Sequence, residues 1–162
     1  MGTVIIEGLV ACFLLLIPCV VGIANSPVNM VFFYEKEVKE RVIANGLTTQ
    51  EKIDRGLKLF RLYSIIPLIV FPLVAVYGIN GTVGFTDGFI QICTILLMMG
   101  LFDRIFIDWY WVGKTKAWII EGTQDLQPYI YGKTLIGKWL FTLIGFPVLA
   151  AVLSLIMSFI LV

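Results

Sequence analysis

Three ionisable residues stand in a run that is otherwise apolar and aromatic: Phe102-Asp103-Arg104-Ile105-Phe106-Ile107-Asp108-Trp109-Tyr110-Trp111. The apolar stretch around them begins near Gly88, so at 1.5 Å per residue Asp103 lies ~20 Å along a helix from its start. Charges at such depth are rare in membrane segments and mark functional sites by default. Arg104 and Asp108 are four positions apart and share a helix face, which lets them pair. Asp103, Ile107, Tyr110 and Lys114 form the adjoining stripe. On a helix of 3.6 residues per turn, Asp103 and Asp108 are about 140° apart, so the spacing predicts no carboxylate dyad. Two explanations compete. In the first, Arg104–Asp108 only holds packing, and Trp109 and Trp111 are interfacial anchors. In the second, Asp103, Arg104, Asp108, Tyr110 and Lys114 are the polar part of a pocket for a headgroup or an ion.

Other residue types narrow the chemistry. The chain contains no His, which removes imidazole general bases, His-ligated haem and most zinc sites. Cys12, Cys19 and Cys93 fall inside apolar stretches with no CxxC spacing and read as small buried groups. No metal and no cofactor are expected. The net charge of +1 argues against nucleic acid as a partner. Glu7 is a further candidate, about two turns into the first apolar stretch, where it could also snorkel to the nearer interface. Arg55, Lys58 or Arg61 would line a cofactor-sized cytoplasmic cavity if the protein were a transferase.

The elements that position these residues follow from hydropathy. Of the 162 residues, 59% are hydrophobic and 14% charged, against about 25% charged in soluble domains. Apolar stretches cover about 4–24, 62–79, 88–112 and 136–162, each near the ~20 residues needed to cross hydrocarbon. They show no apolar/polar alternation, so they read as helices. All twelve Lys and Arg residues fall around the first and third connections and none at the termini or the 80–87 turn. Basic short loops stay cytoplasmic. The sequence therefore predicts one all-α integral membrane domain, residues 1–162. It is a bundle of four transmembrane helices with both termini outside, expected in the cytoplasmic membrane of a bacterium. Residues 1–25 lack a positive n-region and read as a retained helix rather than a signal peptide.

A cytoplasmic helical hairpin is expected over 27–60. Its first helix spans roughly 27–44, with Ser26 as cap, Pro27 in the first turn and Asn45-Gly46 as its stop. Its second starts from a Thr48–Glu51 capping box and runs into the second span, bending at Pro67 and Pro72. The 35–61 segment carries seven basic and five acidic residues, a solvated face that can touch anionic headgroups of membrane lipids. Thr86-Asp87 is expected to cap the third span. The 113–132 connection is too long and too apolar for a disordered linker. It is expected to dock Trp118, Ile119 and Tyr129 on the ends of the second and third spans, as a lid over Asp103–Asp108. Ala150, Ser154 and Ser158 recur every fourth residue, a stripe suited to close packing inside the bundle or in a homo-oligomer.

These proportions, with Arg55 and Ile65-Ile66-Pro67 echoing its second helix, resemble the superfamily of membrane-associated proteins in eicosanoid and glutathione metabolism. Lys52, Ile53 and Phe60 stand where that family carries its Glu-Arg and later Asn, so the resemblance implies the four-helix architecture alone. The functional expectation is a small multi-pass protein binding an amphiphile or ion in an inner-leaflet pocket. The alternatives are a non-catalytic subunit of a membrane complex and a transferase acting on lipid-soluble substrates.

Overall fold

A computed structural model describes residues 2–161. Among them there are helices and connections and no strand. Four helices are long and apolar enough to cross a membrane: α1 (Gly2–Asn25), α3 (Gln50–Ile79), α4 (Phe85–Val112) and α5 (Gly132–Ile160). A fifth, α2 (Lys36–Ala44), is short and charged. All basic residues gather at the end of the bundle that carries the 26–49 and 113–131 connections, called here the basic end.

The segment expected as one helix over 27–44 is two pieces. Ser26 Oγ accepts from Val28 N at 3.3 Å and starts a tight 3-10 helix, Pro27–Phe33. Tyr34 and Glu35 are then extended, with ψ of 169° and 156°. The break comes from tertiary pairing. Glu35 N donates to the Tyr129 carbonyl at 3.1 Å, and the Tyr34 ring packs on Tyr129 with centroids 4.8 Å apart. α2 closes at Asn45, and Gly46 takes a left-handed φ of 71°, the geometry that favours glycine after a helix.

Two caps differ from expectation. Thr49, not Thr48, caps α3, accepting from Lys52 N at 3.3 Å, while Thr48 is buried. α4 begins at Phe85 behind Gly84 at φ 86°, so Thr86 and Asp87 lie inside its first turn. Asp87 there still faces the positive end of the helix dipole.

The long helices are not uniformly α. Wider i→i+5 turns run through Ile66–Val70 and Val74–Ile79 in α3, Asp103–Val112 in α4 and Phe141–Gly145 in α5. In α3 the first contains Pro67 and the two bracket Pro72, and in α5 the wider turn precedes Pro147; the missing N–H and ring of each proline disrupt the regular ladder.

α4 is the central helix, with α1 and α5 packed on it. Glycines permit the close approach. A Cβ at Gly8 would strike Met98, and one at Gly100 would strike the Phe146 ring and Thr142. Ala150 and Ser154 are fully buried, Ser154 beside Gly88. Ala150 and Ser154 of the small-residue stripe are thus used within the bundle, while Ser158 is only half-buried. Two apolar cores result, one within the spans around Ala11, Ile92, Leu96 and Ala150, the other at the basic end around Tyr34, Val38, Val42, Trp118 and Tyr129. The outer faces stay apolar and exposed, Phe13 at 65% and Phe159 at 77%.

Candidate functional site

The i→i+5 turn at the end of α4 changes which residues meet. With that hydrogen bonding, residues five apart come onto one face, so Asp103 and Asp108 both turn toward Arg104. Arg104 Nη2 hydrogen-bonds the Asp103 carboxylate, and Nη1 pairs with Asp108 by charge rather than by an aligned hydrogen bond. Asp103 and Asp108 thus meet through the Arg104 guanidinium rather than as a carboxylate dyad. From α5, Lys138 Nζ reaches the same carboxylate, 2.8 Å from Asp108 Oδ1 and 3.1 Å from Oδ2. Arg104 and Asp108 are buried, and Asp103 is partly so. The cluster joins α4 to α5 in a chain Asp103–Arg104–Asp108–Lys138.

This cluster forms one wall of a cavity of about 590 Å³, within the roughly 300–1,000 Å³ range of small-molecule sites. Its side walls come from α3 through Phe60, Arg61, Ser64, Pro67 and Leu68, and from α5 through Thr134, Gly137, Lys138, Phe141 and Thr142. Both sets follow the three- and four-residue spacing of a single helix face. Leu15 and Cys19 of α1 and Met99 and Gly100 of α4 complete the apolar part. Tyr34, Trp118, Ile130 and Lys133 close the basic end.

The closing residues belong to a platform in which the two connections pack on each other. Arg41 pairs with Asp125 at 3.3 Å, Tyr131 Oη donates to Glu37 at 3.0 Å, and Thr134 donates to Glu35. Tyr129 Oη takes part in hydrogen bonds with Ile120 N at 3.0 Å and Thr123 Oγ1 at 2.8 Å. Trp118 packs edge-on against Trp111 of α4. Within the 113–132 connection, Tyr129 docks on Tyr34 of the first connection rather than on the end of α3, and Ile119 is only half-buried. Burial holds the Tyr34 phenol well above its ordinary range, with Tyr129, Cys19 and Asp108 adding to the effect. Burial also lowers Lys39, with Glu35 opposing.

No known protein family, curated protein or solved structure matches this chain. The site's own chemistry is thus the basis for any assignment.

The structure sorts the residues singled out by the sequence. Asp103, Arg104, Asp108 and Arg61 line the main cavity. Tyr110 and Lys114 are exposed on the outer side of α4, where Lys114 Nζ sits 5.9 Å from the centre of the Trp109 ring. Arg55 lines a second cavity of about 470 Å³ with Ser26, Asn29 and Lys52, and Lys58 lines neither. Glu7 does not snorkel. It is buried at the opposite end and accepts from Asn80 Nδ2 at 3.1 Å, in a chain continuing to Gln91 and Thr82. Among the described residues no His, Cys, Asp and Glu cluster could hold a metal ion.

Lys138 was not singled out by sequence reasoning. A signal was present: Thr134, Lys138 and Thr142 recur every fourth position in an apolar helix and all line the cavity.

Proposed function

We propose that the protein is a small multi-pass membrane protein that binds an amphiphile, with the apolar chain between α3 and α5 and the head at the basic end. In this reading the basic end faces the cytoplasm, following the placement of every Lys and Arg. One observation carries the proposal: a cavity of about 590 Å³ whose walls are apolar along α3 and α5 and whose one end is a buried charge cluster. A few polar groups on an otherwise apolar lining are the usual composition of a small-molecule site. The exposed apolar faces of the four helices are what lipid contact demands, so they favour no protein partner. The transferase reading asks for a cofactor-sized cavity lined by Arg55, Lys58 or Arg61; Arg61 lines the first cavity and Arg55 the second, with no cofactor-specific motif beside either.

Gly137→Trp tests the proposal. Gly137 lines the cavity, and a Cβ there meets open space. The indole is expected to occupy the chamber at no cost to the fold, since glycine is the poorer helix former. Saturable binding of a fluorescent long-chain amphiphile to the purified protein should weaken at least roughly tenfold, a 1.4 kcal/mol effect, with thermal stability retained. Unchanged binding, or no saturable binding by the unmodified protein, would reject the reading.

A further inference from the structure

The unmet hydrogen-bonding demand of the main cavity runs in one direction. Three of its lining side chains, each more than nine-tenths buried, carry a polar atom with no partner: Tyr34 Oη, Arg104 Nε and Trp118 Nε1. The guanidinium and indole N–H groups can only donate, and the phenol can donate. No fully buried carboxylate oxygen of the lining joins them: Asp103 Oδ2 accepts from Arg104, and both Asp108 oxygens accept from Lys138. Buried polar groups are normally satisfied, and each exception asks for an explanation. A bound group that supplies acceptors is one.

Charge points the same way. The cavity lining holds four cations, Arg61, Arg104, Lys133 and Lys138, and two carboxylates, Asp103 and Asp108. The carboxylates are taken up by Arg104 and Lys138. Arg61 and Lys133 form no ion pair among the described residues. They stand on the two helices that flank the chamber, α3 and α5, both on the basic side of its apolar walls. A cationic head would have to displace Arg104 or Lys138 from a buried partner, and leaving either charge unpaired there is costly. An anionic head meets free cations and free donors.

We infer that the ligand is a single-chain amphiphile with an anionic, oxygen-rich head, a long-chain carboxylate being the simplest example. Its head lies between Arg61 and Lys133, within reach of the unpartnered donors, and its chain runs along Leu68 and Phe141. This inference rests on the amphiphile reading and adds the sign and chemistry of the head.

The test compares four probes on the whole protein in nanodiscs of zwitterionic lipid: ionised oleate, uncharged monoolein, protonated oleylamine and inorganic phosphate. Each competes against a fluorescent long-chain carboxylate. Oleate is expected to compete at least tenfold better than monoolein, with oleylamine and inorganic phosphate weaker still. Arg61→Gln with Lys133→Gln, both at exposed positions, should bring the oleate-to-monoolein ratio close to one. Equal competition by oleate, monoolein and oleylamine would overturn the anionic head while leaving the amphiphile reading in place. Tightest binding by oleylamine would overturn it in favour of a cation. Phosphate matching oleate would overturn the role of the chain. If no probe displaces the fluorescent chain, or that chain binds equally well to Gly137→Trp, the amphiphile reading fails and takes this inference with it.

Discussion

Asp108 holds two cations at once, Arg104 along its own helix and Lys138 across the helix interface, while almost wholly buried. Removing it leaves Lys138 without a partner and Arg104 with Asp103 alone. Breaking a buried pair by deleting one member costs about 3–5 kcal/mol. Asp108→Leu is therefore expected to lower the unfolding free energy in detergent by about 3 kcal/mol. Asp103→Leu should cost clearly less, because Asp103 is partly exposed and its loss leaves Arg104–Asp108–Lys138 intact. Equal costs for the two variants would show that Asp108 is not the hub. The Arg104–Asp108 half of this cluster was legible from four-residue spacing. Asp103 was legible as a polar residue of the motif but not as the second partner of Arg104, and Lys138 was not legible, because it comes from 30 positions away.

Tyr34 gives a second test at this scale. Its phenol is buried and held above its ordinary value near 10. In the unfolded chain it ionises at that ordinary value, so above about pH 10 the unfolded state binds fewer protons than the folded one. Stability then falls as pH rises, by about 1.4 kcal/mol per pH unit for one such group. Tyr34→Phe removes this contribution and breaks no hydrogen bond, since Tyr34 Oη has no partner. Its unfolding midpoint should match the parent near neutrality and decline less between about pH 9 and about pH 11. Parallel declines would show that the phenol is solvated.

At the scale of elements, two glycines of the same cavity differ in what surrounds them. A Cβ at Gly100 would strike the Phe146 ring and the Thr142 methyl, whereas one at Gly137 meets nothing. Gly100→Leu overpacks the contact between α4 and α5 and is expected to cost about 1–3 kcal/mol, read as a lower thermal midpoint. No loss of stability would mean that α4 and α5 are farther apart than described. The four long helices were legible as apolar stretches, with ends near the expected ones. The break at Tyr34 and Glu35 was not, because Lys36 to Arg41 continue a plausible helical pattern. The force that extends the chain there is a hydrogen bond and a ring contact with Tyr129, far off in sequence. The capping shifts at Thr49 and Gly84 are local competitions between neighbouring residues, each able to start a helix.

For the whole molecule, hydropathy and the one-sided placement of Lys and Arg were sufficient to anticipate an all-helical chain with four long apolar helices. The cavity was not legible, since it depends on how the inner faces of α3 and α5 stand around α4 and on the two connections forming one platform beneath them. Their joint packing buries Trp118, Ile120 and Tyr129 almost completely, at about 1.5–3 kcal/mol for each large apolar side chain removed from water. The platform closes the basic end, and the charge cluster ties α4 to α5 just above it.

We propose that an amphiphile occupies the chamber between α3 and α5. Photo-crosslinking with a diazirine-bearing long-chain carboxylate, mapped by mass spectrometry, tests it most directly. Adducts are expected at cavity-lining positions such as Phe60, Leu68 and Phe141, suppressed by excess unlabelled oleate. Adducts confined to outward residues such as Phe13, Val21 and Phe159, and insensitive to competitor, would contradict it.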